Sequence, residues 1–339
     1  MTGTAPSPVA AATRGAPVSR LPRGLGAGGV YLFVAALLVI GRGLSADFWS
    51  ASSLVKVVQD VSILGIVAVG LSFVTYGGHF VDLAIPVQMA VSGIVAVTLL
   101  PWGIVAAALG GLASGALLGL VNGLVVGFLR LNPIIWTLAA LSLADGVTRW
   151  AYGGQWVYAD GQTASGAAFL GLYRAVLPGG VPLMVALFLL TALAGHALMR
   201  HTGFGRQLQM TGSAYEAARL SGIPVRRVVV LAFLVSGFTA ALGGLIKTSL
   251  TGYGDVETGL SYDFLAVTAV VLGGVPLSGG RGSMAGVVGG VLVMGLLGNI
   301  LPLVPGVGQD QQLVIRGLIF VAVVGLSQMA LRRSGRDDR

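Results

Sequence analysis

The chain has 339 residues, of which 55% are hydrophobic and only 9% charged, and its mean hydropathy is +0.90. A soluble domain of this length must cover its surface with polar groups, so the composition excludes one and indicates an integral membrane protein. The net charge of +8 does not indicate nucleic acid, since the arginines fall mostly in loops, and the absence of cysteine excludes disulfides and thiolate metal sites. Residues 1–25 are rich in Ala, Pro, Gly and Arg without apolar periodicity and read as a disordered cytoplasmic tail. Arg14, Arg20 and Arg23 precede the first apolar run, and Gly41-Arg42-Gly43 is a poor cleavage site, so this run reads as an uncleaved first span. Crossing hydrocarbon needs about 20 residues. Spans are predicted at 26–44, 54–76, 83–100, 103–129, 133–152, 180–199, 228–250, 260–276, 284–301 and 311–331, ten in all. An even number puts both termini on one side. With the N-terminus inside, 14 of the 20 Lys and Arg fall in tails and cytoplasmic loops, which predicts an N-in, C-in topology with a C-terminal tail at 332–339. The segment 153–178, with Trp156, Tyr158 and Asp160, then lies outside.

Glycine makes up 54 residues, far above the usual share of roughly 7%. The fourth span carries Gly111, Gly115, Gly119, Gly123 and Gly127, one at every fourth position. That spacing makes a flat stripe on one helix face, expected to serve close helix packing rather than a pore. Gly282, Gly286 and Gly290 repeat the device. Two segments interrupt the apolar pattern with glycines and a proline, at 77–86 and 273–282. Broken helices in corresponding positions of two halves mark a transport pathway, so two inverted-repeat halves are expected. Asp82 in the first break and Gly273 and Gly274 in the second are pathway candidates. Asp82 either faces the pathway or caps the third span. Asn132 and Thr137 begin the fifth span and stand as pathway candidates too, with helix capping the other reading for Asn132.

Between the sixth and seventh spans lies a basic loop, 200–227, containing Gly212-Ser-Ala-Tyr-Glu-Ala-Ala-Arg-Leu-Ser-Gly-Ile-Pro224. Ser213 and Glu216 have capping-box spacing, Gly222 can take a left-handed helix end, and Pro224 blocks continuation. A short helix with both ends marked is predicted, too short to persist undocked. Ala217 and Ala218 leave room for close approach of a partner.

Four stretches resemble the membrane permease of bacterial ABC importers of the ribose/monosaccharide type. They are Asp82-Leu83 with Ser92-Gly93, Leu131-Asn-Pro-Ile-Ile-Trp-Thr-Leu138, Thr202-Gly-Phe-Gly-Arg206 with Glu216-Ala-Ala-Arg-Leu-Ser-Gly-Ile223, and Ala269-Val-Val-Leu-Gly-Gly274 with Gly279-Gly-Arg-Gly-Ser283. The chain departs from the family at His79 and Phe80, at Ala84 and Pro86, and at Asp145-Gly146, changes that bear on the substrate more than on the transporter class. The resemblance implies a cytoplasmic coupling helix that docks on a separate ATPase, with Glu216 pairing a basic group there. It also implies delivery by an extracytoplasmic solute-binding protein, assembly with a second copy or a paralogous permease, and residence in the bacterial inner membrane. The chain itself carries no phosphate loop: neither Lys56 nor Lys247 follows a glycine. ATP and Mg are therefore expected on the partner ATPase, and no cofactor or metal on this chain. His79, His196 and His201 show no metal-ligand spacing.

The expectation is an all-α permease subunit, not an enzyme, importing a monosaccharide or similar small polar solute. Alternatives are a permease for a nucleoside or branched-chain amino acid, or an ion-coupled secondary transporter using Asp82 or Asp60. The capped basic loop discriminates, since a self-sufficient transporter has no use for an ATPase dock.

Overall fold

In hydrocarbon each backbone amide must find its partner within the protein, and this chain meets that demand with helices. The computed structural model describes residues 27–79 and 81–334; the tail expected at 1–25, Phe80 and residues 335–339 of the expected C-terminal tail lie outside them. Thirteen α-helices follow in order among the described residues. They are α1 (Ala27–Leu44), α2 (Ala51–Tyr76), α3 (Ile85–Leu99), α4 (Ile104–Leu124), α5 (Pro133–Tyr152), α6 (Ala164–Gly171), α7 (Leu183–His201), α8 (Gly203–Ser213), α9 (Tyr215–Leu220), α10 (Val225–Thr251), α11 (Tyr262–Leu272), α12 (Met284–Ile300) and α13 (Gln309–Ser334). The only strands among the described residues are two-residue ladders. β1 (Val157–Tyr158) pairs antiparallel with β4 (Tyr253–Gly254), and β2 (Val176–Leu177) with β3 (Val181–Pro182).

Side-chain caps set several helix starts: Ser50 accepts from the Ser53 N–H at 3.3 Å, Asn132 from Ile134 at 3.0 Å, and Ser283 from Gly286 at 3.0 Å. α2 and α10 form the centre of the bundle. Nearly every side chain from Val61 to Tyr76 is buried, as are both faces of much of α10. α3, α4, α7, α11 and α12 pack around this pair, α1 packs on α12, and α13 packs on α11.

The glycine stripe of α4 and the turn that extends it lies flat against α10. A Cβ added at Gly115 would come within 2.5 Å of the Ala241 Cβ, and one at Gly119 within 2.5 Å of the Phe233 carbonyl. Gly111 faces Leu245, Gly123 faces Val230, Gly127 faces the Arg226 carbonyl, and Gly237 returns the contact to Gly119. The later series is not one stripe. Gly286 and Gly290 lie against Gly273 and Ala269 of α11, but Gly282 precedes α12, with φ +135 against Tyr76.

Six helices among the described residues are long and apolar enough to cross a membrane: Ala51–Tyr76, Ile85–Trp102, Ile104–Leu129, Leu183–His201, Val225–Thr251 and Met284–Leu303. The span expected at 260–276 is replaced by the 11 residues of α11, about 16 Å of helix and half a bilayer. Gly273 and Gly274 end it early. α5 carries Asp145 and Arg149, joined at 2.9 Å. The two helix breaks also lie at the same end of the bundle.

Candidate functional site

Between α2 and α3 the chain unwinds because Gly77 and Gly78 cannot sustain the helix, Gly78 turning to φ +74. Pro86, lacking an N–H, opens α3 in its first turn. Between α11 and α12 the same is done by Gly274, Pro276, Gly279, Gly280 and Gly282, the glycines all at positive φ. The two breaks are joined directly: the Gly280 N–H donates to the Tyr76 carbonyl at 2.9 Å. A Cβ at Gly279 would come within 2.5 Å of the Gly78 nitrogen, and one at Gly78 within 3.2 Å of the Gly212 Cα. Gly212 is in α8, so the basic loop meets both breaks at one point. Ser213 adds a hydroxyl hydrogen bond to the Gly280 carbonyl at 3.4 Å.

This contact overturns the capping box. α8 runs through Ser213, which spends its N–H inside that helix and turns its hydroxyl to Gly280. α9 starts after Ala214 with no side-chain cap, and Glu216 faces Arg219 at 3.6 Å instead. Gly222 does adopt the left-handed conformation, at φ +80. The Gly222 and Ile223 N–H groups return to Arg219 and Ala218 at 3.1 Å each, closing α9 ahead of Pro224. Ala218 is buried and Ala217 exposed, so α9 shows one face to the bundle and one outward. Grooves flank it on both sides. One, of about 520 Å³, includes Arg206, Ser213, Ala217 and Gly280; the other, of about 500 Å³, includes Arg130, Arg219, Arg226 and Arg227. Leu220 stands out at 82% exposure, a large apolar side chain in a basic surface.

Asp82 is fully buried within the first break. Its carboxylate accepts from the Ala84 N–H, the Gln88 amide and the Ser236 hydroxyl, each at 3.1 Å. Burial pushes its carboxyl up from the ordinary range, and these three donors oppose that. Nearby, burial holds the His79 imidazole below its usual value. The Leu83 N–H donates to the Thr137 hydroxyl at 3.2 Å, so α5 helps to hold the break. Thr137 and Asp82 thus converge on one segment, with Ser236 of α10 closing it. Asn132 stands apart as the cap of α5. Gly273 ends α11 with its Cα side pressed on the Gly286 backbone, and Gly274 follows with φ +86 and open space beside it. Sequence reading missed Gln88, Ser236 and Leu220. Leu220 carried no distinguishing signal, being one of several bulky apolar residues of the loop, among them Phe204, Leu208, Met210 and Ile223.

Residues 53–324 match the family described as the permease component of the branched-chain amino acid transport system. The chain belongs to this family. It is 31% identical over 297 residues to the ribose import permease protein of Escherichia coli K12, covering 85% of this chain and 89% of that protein. It is 33% identical to the ribose import permease protein of Bacillus subtilis 168, over 88% and 92% of the two chains. Identity to the L-arabinose transport system permease protein of Escherichia coli K12 is 34%, over 78% and 79%. The four stretches that carried the resemblance all lie within the matched region. This permease is thus a multi-pass membrane protein and a transport component, not an enzyme.

Proposed function

We propose that this permease forms the membrane pathway of an ATP-driven importer for a monosaccharide or similar small polar solute. The observation that carries the reading is the convergence of the α8–α9 loop with both helix breaks, beside likeness to ribose and arabinose permeases along most of the chain. A separate ATPase holding ATP and Mg docks on α9. Glu216 and Leu220 offer it a charge and an apolar knob, and the two grooves take its loops. Closure of that ATPase displaces α8. Because Gly212 meets Gly78 and Gly280 backbone to backbone, with only the small Ser213 hydroxyl beside it, the displacement passes to α2, α3, α11 and α12 with little slack. The polar ties of Asp82 and Thr137 give the first break a defined alternative state to leave or enter.

In this reading α1, α5, α11 and α13 complete the bundle around the six long spans, both termini face the cytoplasm of a bacterial inner membrane, and the α8–α9 end is inside. A binding protein delivers solute at the other end. The working unit contains two permeases, identical or paralogous, in contact with lipid. The test is purification of the tagged protein in mild detergent from its native membrane, with co-purifying chains identified by mass spectrometry, followed by uptake of labelled ribose and arabinose in proteoliposomes. A co-purifying phosphate-loop ATPase and ATP-dependent sugar uptake are expected. Uptake that ignores ATP and follows an ion gradient would overturn the reading.

A further inference from the structure

At the end of the bundle opposite the α8–α9 loop, five helices bring charged and polar side chains around one cleft of about 360 Å³. Asp60 comes from α2, Lys247 from α10, Tyr262 from α11 with Ser261 just before it, Asn299 from α12 and Arg316 from α13. By a rise of 1.5 Å per residue, Asp60 and Asn299 lie about 24 and 22 Å along their helices from the ends that form the junction. The cleft therefore lies within the thickness of the hydrocarbon, toward its far face. Each residue is partly buried; Asp60 hydrogen-bonds Asn299 and feels the charges of Lys56 and Lys247, yet among the described residues Asp60, Lys247 and Arg316 close no direct ion pair, the two such pairs being elsewhere. Ionised groups at this depth are costly unless they face water or a ligand.

The set of groups narrows the ligand. A cation would meet two fixed positive charges, and a simple anion would meet the Asp60 carboxylate. A neutral solute rich in hydroxyls uses both: its O–H groups donate to the carboxylate, and its oxygens accept from ammonium, guanidinium and amide. The cleft volume falls within the range of small-molecule sites. We propose that this cleft is a transient binding site for a polyhydroxylated solute, read by Asp60, Lys247, Asn299 and Arg316 on its way to the junction. The inference rests on the reading of the chain as a sugar importer.

The cysteine-free chain permits a direct test. At Gly298 a new Cβ would meet only the Arg316 guanidinium, at 3.6 Å, so Gly298→Cys places a thiol in the cleft without displacing backbone. The neighbouring guanidinium raises its reactive thiolate fraction. In proteoliposomes holding the complete importer, a membrane-impermeant methanethiosulfonate should label Gly298→Cys, and excess ribose or arabinose, whichever is transported, should slow labelling severalfold. Labelling of Gln155→Cys, on an exposed loop at the same end, should not respond to sugar. Asp60→Asn should lower uptake about tenfold while the complex still assembles, as loss of a charge-assisted hydrogen bond predicts. Labelling indifferent to a sugar that the same vesicles import, together with unchanged Asp60→Asn uptake, would overturn the cleft and leave the importer standing. Failure of the unmodified importer to take up any pentose or hexose would overturn both.

Discussion

Thr137 is fully buried, and its hydroxyl is the partner of the Leu83 N–H, the first amide after Asp82. Thr137→Val keeps the shape and removes the acceptor, leaving a buried N–H unsatisfied, and should cost about 1–3 kcal/mol. Thermal unfolding in detergent should show a lower midpoint for Thr137→Val and a nearly normal one for Thr137→Ser; equal midpoints would mean that the hydroxyl carries no weight. Glu216 belongs to the outward surface of α9, where its side chain is 66% exposed beside Arg219. Glu216→Lys should leave folding and membrane insertion intact and strip the ATPase from the purified complex. Retention of the ATPase with unchanged uptake would remove Glu216 from the dock. These two residues show what a one-dimensional reading can and cannot reach. Glu216 was legible as a surface charge in a short helix, because local spacing fixes that. Thr137 was picked for the pathway, but its bond to the Leu83 N–H was not legible, because that partner lies 54 positions away in sequence. Gln88 and Ser236 were invisible for the same reason.

Among the elements, the seam between α4 and α10 was written plainly in the sequence, since a four-residue glycine period has one geometric meaning on a helix. Gly119→Leu should drive a side chain into the Phe233 and Gly237 backbone, so the expected result is loss of folded protein in size-exclusion chromatography. A monodisperse, active variant would show that the seam can part. The helix breaks were legible too, from clustered Gly and Pro, but their meeting was not. The capping box failed for a specific reason: α8 continues to Ser213, and a tertiary carbonyl at Gly280 outcompetes the local cap. Gly280→Ala tests this joint, because φ +76 and the adjoining Ser213 backbone both resist a Cβ. It should abolish uptake while the ATPase still co-purifies, separating docking from transmission.

For the whole molecule, composition alone established a membrane protein, and the class of bundle followed from long apolar helices. Ten spans were expected and six described helices are long and apolar enough to cross: α11 stops at half a bilayer, and α5, continuous over 20 residues, carries Asp145 and Arg149. Hydropathy cannot separate a half-helix from a full span when glycine-rich loops continue the apolar run. The organisation is uneven: fixed contacts on the α4 side of the centre, breakable backbone joints on the α11 side.

In the α4–α10 seam, carbonyls of Phe233, Gly237 and Arg226 lie against glycine Cα positions of the opposite helix, the arrangement in which Cα–H groups point at backbone oxygens. Two helices held largely by their main chains have few rotamers to rearrange, so the pair should behave as a stator through the transport cycle. Amides on both helices should keep the slowest hydrogen–deuterium exchange of the permease in every nucleotide state, while those of residues 77–84 and 273–283 quicken and slow with ATP.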